Sequence, residues 1–545
     1  MNIKLTLPAS SAAQPASEAS QANPPHIPSR MNEAYEIPLF ATPEQKEAIL
    51  TISSLNESII IQAVAGSGKS WTLIETIKYM VYVNKVPQQD IAIMVFNKSI
   101  KDELKYKLTA AGLAQVSVNT RHGYGLEAIR RLQARINVNP NKTRDIAKQV
   151  IQYFGKPFSC IAPVSKLVGL AKDAGIGWNT DITDRNAWYD LYKKHDIEIE
   201  EDYSLDDLIK HSIEVLRKSN EFIDECDFPD MVYWPLLKGL TMPTQFRCLL
   251  LDEAQDTNVT GRGLAKALIR VGGILAAVGD DWQAIYGFAG ADNDSLDLIK
   301  HEFSAKELWL TVCFRCSKAV IKHAQKWMPK IQHAADAVEG SVTEVSYDDF
   351  LKLTPSNTSA ILCRKNAPLM SLAFSYLRRG IACRIEGRDI GQNLIKLCKK
   401  WKARSLLELS NRLESHREKE TQKFMANGQE QQADQLNDQL DCLLSLLDRA
   451  REVDNSIEGL IRLIESMFTD SVTGQPQRVL TLSSVHKAKG REWPTVYLLS
   501  RDTLMPSKFA RQDWQREQEL HLIYVAVTRA KADLIEILSP EKESL

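Results

Sequence analysis

The stretch 59-IIIQAVAGSGKSWTLIE-75 decides the fold. Three isoleucines lead into Gln62 and Ala63, an apolar run that reads as a buried strand. The run from Lys69, "KSWTLIETIKYMVYV", reads as the helix that follows. A chain that turns from strand to helix through glycines can hold phosphate oxygens on its backbone N–H groups. In Ala65, Gly66, Ser67, Gly68, Lys69 and Ser70 the two glycines permit close backbone approach. Lys69 is placed to neutralise β- and γ-phosphates, and Ser70 to ligate Mg²⁺. Two irregularities stand out: Ala63 replaces the outermost glycine of the usual pattern, and bulky Trp71 follows the Lys-Ser pair. Alanine is still small, so position 63 does not forbid the loop. A glycine-rich turn without a ligand is the minority alternative.

The chain has 545 residues, too many for one core, so several domains are expected. A net charge of −1 gives no bulk attraction to nucleic acid, so any such surface must be a local basic groove. Nine cysteines are scattered along the chain, and only Cys313 and Cys316 in "CFRC" are close. No second pair completes a zinc site, and they read as reduced thiols. No apolar run is long enough to span a bilayer, so no membrane partner and a cytoplasmic location are expected. Residues 1–30, rich in Pro, Ala, Ser and Gln, read as a disordered tail.

Farther along, "TPEQKEAIL" reads as a helix start, and "DIAIMVFN" and "AQVSVNT" as further parallel strands. A helical, mixed-charge region, 126–239, interrupts the set before "FRCLLLDEAQD" and "GGILAAVGDD" resume it. Its aromatic and aliphatic residues are most simply core. A second α/β set follows, with "SAILCRKN", "IACRIEG", "VLTLSSVHKAKG", "TVYLLS" and "LIEIL". It is interrupted over 389–476 by a Glu-, Gln-, Arg- and Leu-rich region with almost no Gly or Pro, read as long helices. A coiled-coil hairpin and a solvated helical insertion both fit that region. The expected layout is a first α/β domain of 31–125 and 240–310 and a second of 311–388 and 477–545, each with a helical insertion. In "LLLDEAQD" an apolar strand ends in Asp252, placed to reach the metal, and Glu253, placed to polarise the attacking water.

Taken in order, these motifs resemble superfamily 1A DNA helicases, the UvrD/Rep-like family. "TPEQKEAI" resembles its adenine-reading motif with Gln45 as reader, and "VFNKSIKDEL" and "VNTRHGYG" resemble motifs that contact single-stranded DNA. "VGDDWQAIYGFAGAD", "LTVCFRCSKAVI", "LSSVHKAKGREWPTVYLL" and "LHLIYVAVTRAK" resemble the third to sixth motifs. The resemblance covers most of 42–531. It implies two RecA-like P-loop NTPase domains, ATP and Mg²⁺ as cofactors, and single-stranded and 3′-tailed duplex DNA as partners. It also implies a γ-phosphate-sensing Gln283, arginine fingers Arg315 and Arg529, ribose-contacting Glu492 and adenine-stacking Phe314. Phe96, Tyr286 and Phe288 match positions that stack on bases, and Asn97, Thr120, His122 and His486 match positions near the DNA path. Arg364 and Asn366 are further candidates there.

Departures from the family pattern lie at Trp71 and Ala289, where arginine is frequent, and at His521, where the sixth motif usually has arginine. The second insertion looks shorter than in the large bacterial members, which implies a different autoinhibition or partner control. "FNKSIKDEL" also resembles the compact branch that contains F-box helicases. No C-terminal nuclease domain is expected. The leading reading is an ATP-dependent 3′–5′ DNA helicase or translocase serving repair, recombination or replication. The alternatives are an ATPase motor that strips proteins from DNA or serves a nuclease or loading partner, and a nucleotide-gated DNA-binding protein without turnover. An indole at position 71 can wall the adenine pocket by stacking, so Trp71→Arg should change the ratio of ATP to GTP turnover. An unchanged ratio would remove Trp71 from the pocket.

Overall fold

Strands that are apolar on both faces suit parallel sheets covered by helices, and the chain builds two such sheets. The computed structural model describes residues 35–539 apart from 201, 288–289, 291, 293, 380, 382, 387, 427–429, 468–478 and 511. The proposed tail at 1–30, the stacking candidate Phe288, the departure at Ala289 and the end of the second insertion lie outside the described residues.

The first sheet has six strands in the order Ser117–Thr120, Ile91–Val95, Phe246–Leu251, Ile269–Gly279, Ile59–Ala63 and Lys306–Leu310. All neighbours are parallel, with Ile61 opposite both Val278 and Leu308. Every residue of Ile59–Ala63 and of Ile91–Val95 is buried, as expected for strands covered on both faces. Because the strands run the same way, the chain leaves Ala63, Leu251 and Gly279 at one edge. Ligands of open α/β sheets bind at such carboxyl ends. The second sheet, also parallel, has the order Ser341–Val345, Ala530–Ile537, Trp493–Leu499, Ala360–Cys363, Leu480–Ser484 and Cys383–Ile385. The expectation of an α/β fold with two parallel-sheet units agrees with this.

The first interruption is mainly helical, with helices Lys142–Tyr153, Ile161–Asp173, Arg185–Lys194, Leu205–Glu221 and Phe228–Leu237. Its aromatics Trp188, Tyr233 and Trp234 are buried in one apolar cluster, as their helical spacing suggested. That core also holds a charged knot. The Lys172 ammonium lies 2.7 Å from Asp230 and 3.0 Å from Asp227, and Lys142 lies 2.8 Å from Asp230 and over the Trp234 ring at 4.0 Å. Two lysines facing two aspartates leave the knot near neutral, the condition under which charge can be buried.

Between Ile385 and Leu480 the chain forms helices Arg388–Lys400, Leu406–Ala426, Glu430–Val453 and Ile457–Met467. The middle two pack together as a hairpin tied by Arg417–Asp441 at 2.6 Å. The long helices expected over this region are present. Its inner leucines, Leu409, Leu413, Leu443 and Leu447, share one core with Met370, Phe374 and Leu482 of the second unit. Hairpin and sheet are therefore packed as one body.

Lys172→Met would leave Asp227 and Asp230 buried with one partner fewer. Breaking a buried pair in this way costs roughly 3–5 kcal/mol. Urea unfolding followed by tryptophan emission should show that loss, and a change near zero would show the knot to be energetically idle.

Candidate nucleotide and nucleic-acid site

The phosphate loop runs from the buried strand end Ala63 to helix Lys69–Tyr82. Gly66 and Gly68 adopt φ of +70° and +80°, a region that side chains disfavour. At Gly66 space is as limiting as backbone conformation. A Cβ there would lie 2.7 Å from the Cβ of Arg315 and 2.9 Å from the Sγ of Cys313. Ser67 Oγ is buried without a hydrogen-bond partner at the helix start. Gln45 closes a capping box with Thr42 at the start of helix Pro43–Ser53, and its Nε2 donates to the Ser67 carbonyl at 3.2 Å. Phe314 lies on the same side of Gly68 as Gln45, half exposed, with its backbone N–H donating to the Gly66 carbonyl at 2.9 Å. Trp71 packs against Phe40, ring centroids 5.5 Å apart.

Two strands over, the backbone N–H of Asp252 donates to the Met94 carbonyl at 3.0 Å, and Asp252 Oδ1 accepts the N–H of Glu253. Glu253 sits at φ +52°, an unusual conformation for a non-glycine residue that aims its carboxylate off the strand axis. Burial and the neighbouring Glu253 charge push Asp252 up, while Lys69 opposes them. Burial also works against ionised Glu253, but Lys69, Lys489, the hydrogen bond from Gln255 and Arg529 outweigh it and hold Glu253 below the usual range. The two adjacent carboxylates thus divide the cationic field unequally.

Gln283 follows the strand Ile269–Gly279, its Nε2 donating to Asp280 at 2.6 Å. Its Oε1 lies 3.5 Å from Arg529 Nη2, a contact from the second unit. Arg529 is fully buried and donates to the carbonyls of Val525 and Arg491 and to Thr528 Oγ1. Burial and the nearby Arg315 charge lower it to about 10. Arg315 pairs with Glu492 at 2.6 Å, and Lys531 reaches the same carboxylate at 3.0 Å. Glu492, expected at the ribose, is here the anchor of Arg315.

On the nucleic-acid side, Phe96 and Tyr286 stack with centroids 5.8 Å apart and planes 8° from parallel. Arg121 lies 5.7 Å from the Phe96 ring centre, and the Lys489 ammonium 4.7 Å from that of Tyr286. Asn97 and Thr120 each cap a helix, accepting from Ile100 and Gly123. His122 packs edge-on against Phe228, itself half exposed. Arg364 lies near enough to His486 for its charge to act on that ring. It grips Glu519 through Nε and Nη2 at 3.1 and 2.8 Å, and Asn366 donates to Asp438. Burial holds His122 at about 4 and His486 at about 3, so both are neutral at physiological pH. His521, in place of an arginine, lies 3.1 Å from the Ala284 carbonyl through Nδ1 and tilts against Trp282.

Three contributors were not singled out in the sequence. The Ala65 N–H donates to Tyr524 Oη at 3.0 Å, so the second unit contacts the phosphate loop itself. Lys489 reaches Asp256 at 2.6 Å and the Gln283 carbonyl at 2.7 Å. Phe228 supplies an exposed ring from the helical insertion. Tyr524 and Lys489 lie inside quoted motifs, "YVAVTRA" and "VHKAKG", but nothing local marks their partners. Among the described residues no cluster of three or more His, Cys, Asp or Glu could hold a metal, and no helix is long and apolar enough to cross a membrane.

Two family models match the chain: UvrD/REP helicase N-terminal domain over residues 41–304, and UvrD-like helicase C-terminal domain over residues 480–535. A probable DNA helicase II homolog of Mycoplasma genitalium is 23% identical, across 90% of this chain and 83% of that protein. The ATP-dependent DNA helicase Rep of Buchnera aphidicola is 22% identical, across 88% and 92%. The ATP-dependent DNA helicase PcrA of Staphylococcus epidermidis is 22% identical, across 90% and 82%.

A histidine held at about 4 gains its proton only well below neutrality. His122→Asn should therefore leave the pH dependence of single-stranded DNA binding between pH 6 and 8 as in the wild type. A binding step in that window that vanishes in the variant would place a titrating His122 on the DNA.

Proposed function

The chain belongs to the UvrD/Rep helicase family, and on that premise we propose that it is a cytoplasmic, Mg²⁺-dependent ATPase that moves 3′ to 5′ on single-stranded DNA and separates duplexes. The observation that carries this reading is the convergence of two sheet units on one loop. Lys69, Asp252, Glu253 and Gln283 come from the first; from segments flanking the second, Arg315 lies beside the loop and Arg529 beside Gln283, its charge acting on Glu253.

The donor set suits magnesium, which is typically held by one or two carboxylates together with substrate phosphates. Ser70 and Asp252 would hold it, and when bound it would neutralise charge on the β- and γ-phosphates. Asp252, raised by burial beside another carboxylate, is the group such a cation would relieve. The backbone N–H groups at the start of helix Lys69–Tyr82 receive phosphate oxygens, and Lys69 adds its charge. Glu253, kept ionised, accepts a hydrogen bond from the attacking water and orients it. Arg315 and Arg529 stabilise the charge that spreads over the transferring phosphoryl oxygens. Gln45, Phe314 and Trp71 surround the base.

Motion follows from where those arginines sit. A nucleotide bridging the loop and the second unit favours their contact, and hydrolysis removes the bridge. Lys489 carries the change toward the DNA, because one ammonium binds Asp256, the Gln283 carbonyl and the face of Tyr286. The Phe96–Tyr286 stack is the aromatic platform for bases, which any sequence can use.

ATP hydrolysis should rise on adding single-stranded DNA, and a 3′-tailed duplex should be separated in preference to a 5′-tailed one. Lys69→Ala should lower turnover by roughly 100-fold or more. Undiminished hydrolysis in that variant would move the nucleotide site elsewhere. DNA-stimulated hydrolysis without strand separation would favour the protein-stripping or nuclease-serving motor instead.

A further inference from the structure

The contact between the two units also holds a pair of thiols that the ATP chemistry does not use. Cys313 and Cys316 bracket Arg315, and both are buried. Their side chains lie next to each other, and the backbone N–H groups of Arg315 and Cys316 point at Cys313 Sγ. The Cys316 thiol donates to the Thr528 carbonyl at 3.6 Å, and Arg315 Nη1 donates to the same oxygen at 3.4 Å. Cys313 Sγ abuts Gly66 from beneath the phosphate loop.

This environment differs from that of every other cysteine. Burial pushes up the thiols of Cys160, Cys226, Cys248, Cys363, Cys383, Cys398 and Cys442. Cys313 is pulled down to about 7, first by the adjacent Cys316 and then by the backbone N–H groups of Cys316 and Arg315, against burial. A thiolate next to a second thiol is the arrangement that oxidises most readily.

We propose that Cys313 and Cys316 form a thiol-oxidation site, where a peroxide closes a disulfide that displaces Arg315 from the ATP site. The Cys313 sulfur attacks one peroxide oxygen and the O–O bond breaks, giving Cys313 sulfenic acid and one water. The Cys316 sulfur then attacks the Cys313 sulfur. The S–O bond breaks, and the hydroxyl leaves as a second water with the Cys316 proton. Two thiols lose two electrons and two protons, and one peroxide gains them.

A disulfide bond of about 2.05 Å is far shorter than a contact between two thiols, so the turn carrying Arg315 tightens. Cys316 is drawn off the Thr528 carbonyl that it shares with Arg315, and Cys313 shifts beneath Gly66. Both thiols are buried, so the peroxide reaches them when the Gly66–Cys313 contact parts. The effect on turnover rests on the ATPase reading above, whereas the disulfide does not.

The test treats the full chain with hydrogen peroxide, alkylates the remaining thiols and maps the peptides by mass spectrometry. ATP turnover is measured before oxidation, after it and after dithiothreitol. A linked Cys313–Cys316 peptide is expected, with turnover falling by roughly ten-fold or more and returning on reduction. Cys316→Ser, active when reduced, should show no such reversible loss. Cys313 and Cys316 recovered as free thiols would overturn the proposal, as would a Cys316→Ser chain that loses and regains turnover like the wild type. The peptide map needs no turnover, so a reduced chain without ATPase activity counts against the proposed function and not against the disulfide.

Discussion

The phosphate loop and the arginine-bearing turn meet at Gly66 with no side chain between them. That constraint organises the molecule. A methyl group at position 66 would overlap Arg315 Cβ and Cys313 Sγ, and the φ of +70° disfavours a side chain there independently. Two polar contacts fix the approach on either side: Ala65 N–H to Tyr524 Oη, and Phe314 N–H to the Gly66 carbonyl. None is strong alone, since a hydrogen bond contributes about 1 kcal/mol net. Together they set the loop against the second unit closely enough for Gly66 to abut Arg315.

From that junction a single cation extends the arrangement toward the aromatic platform. Lys489 is almost fully buried, so its pair with Asp256 is shielded from water and salt. The same ammonium binds the Gln283 carbonyl and faces the Tyr286 ring. Gln283 meanwhile lies between Asp280 and Arg529. A displacement of the second unit therefore acts on Gln283 and on the ring that stacks with Phe96. His521 adds a further tie through the Ala284 carbonyl, where an ion pair would otherwise be expected.

What the sequence disclosed and what it withheld follow from the range of the interactions. The phosphate loop, the helix start at Thr42 and the strand leading to Asp252 were legible because spacing and residue type determine them locally. The first insertion's aromatics were legible as core because helical periodicity marks a buried face. Periodicity does not say which core, however, and it left open that the hairpin of Leu406–Ala426 and Glu430–Val453 packs into the second unit. Partners distant in sequence were not legible. Arg364 meets Glu519, Glu492 meets Arg315 and Tyr524 meets Ala65, and each pairing depends on the assembled sheets. The charged knot of Lys142, Lys172, Asp227 and Asp230 was hidden for the same reason.

The central claim is that half of the ATP chemistry is supplied from across the Gly66 contact. Its most direct test compares ATP affinity with ATP turnover in Arg315→Ala. An arginine serving the transition state is worth roughly 10³-fold or more in turnover. The account predicts a loss of that order while ATP still binds. Turnover equal to the wild type would contradict it, and would confine the catalytic site to the first unit.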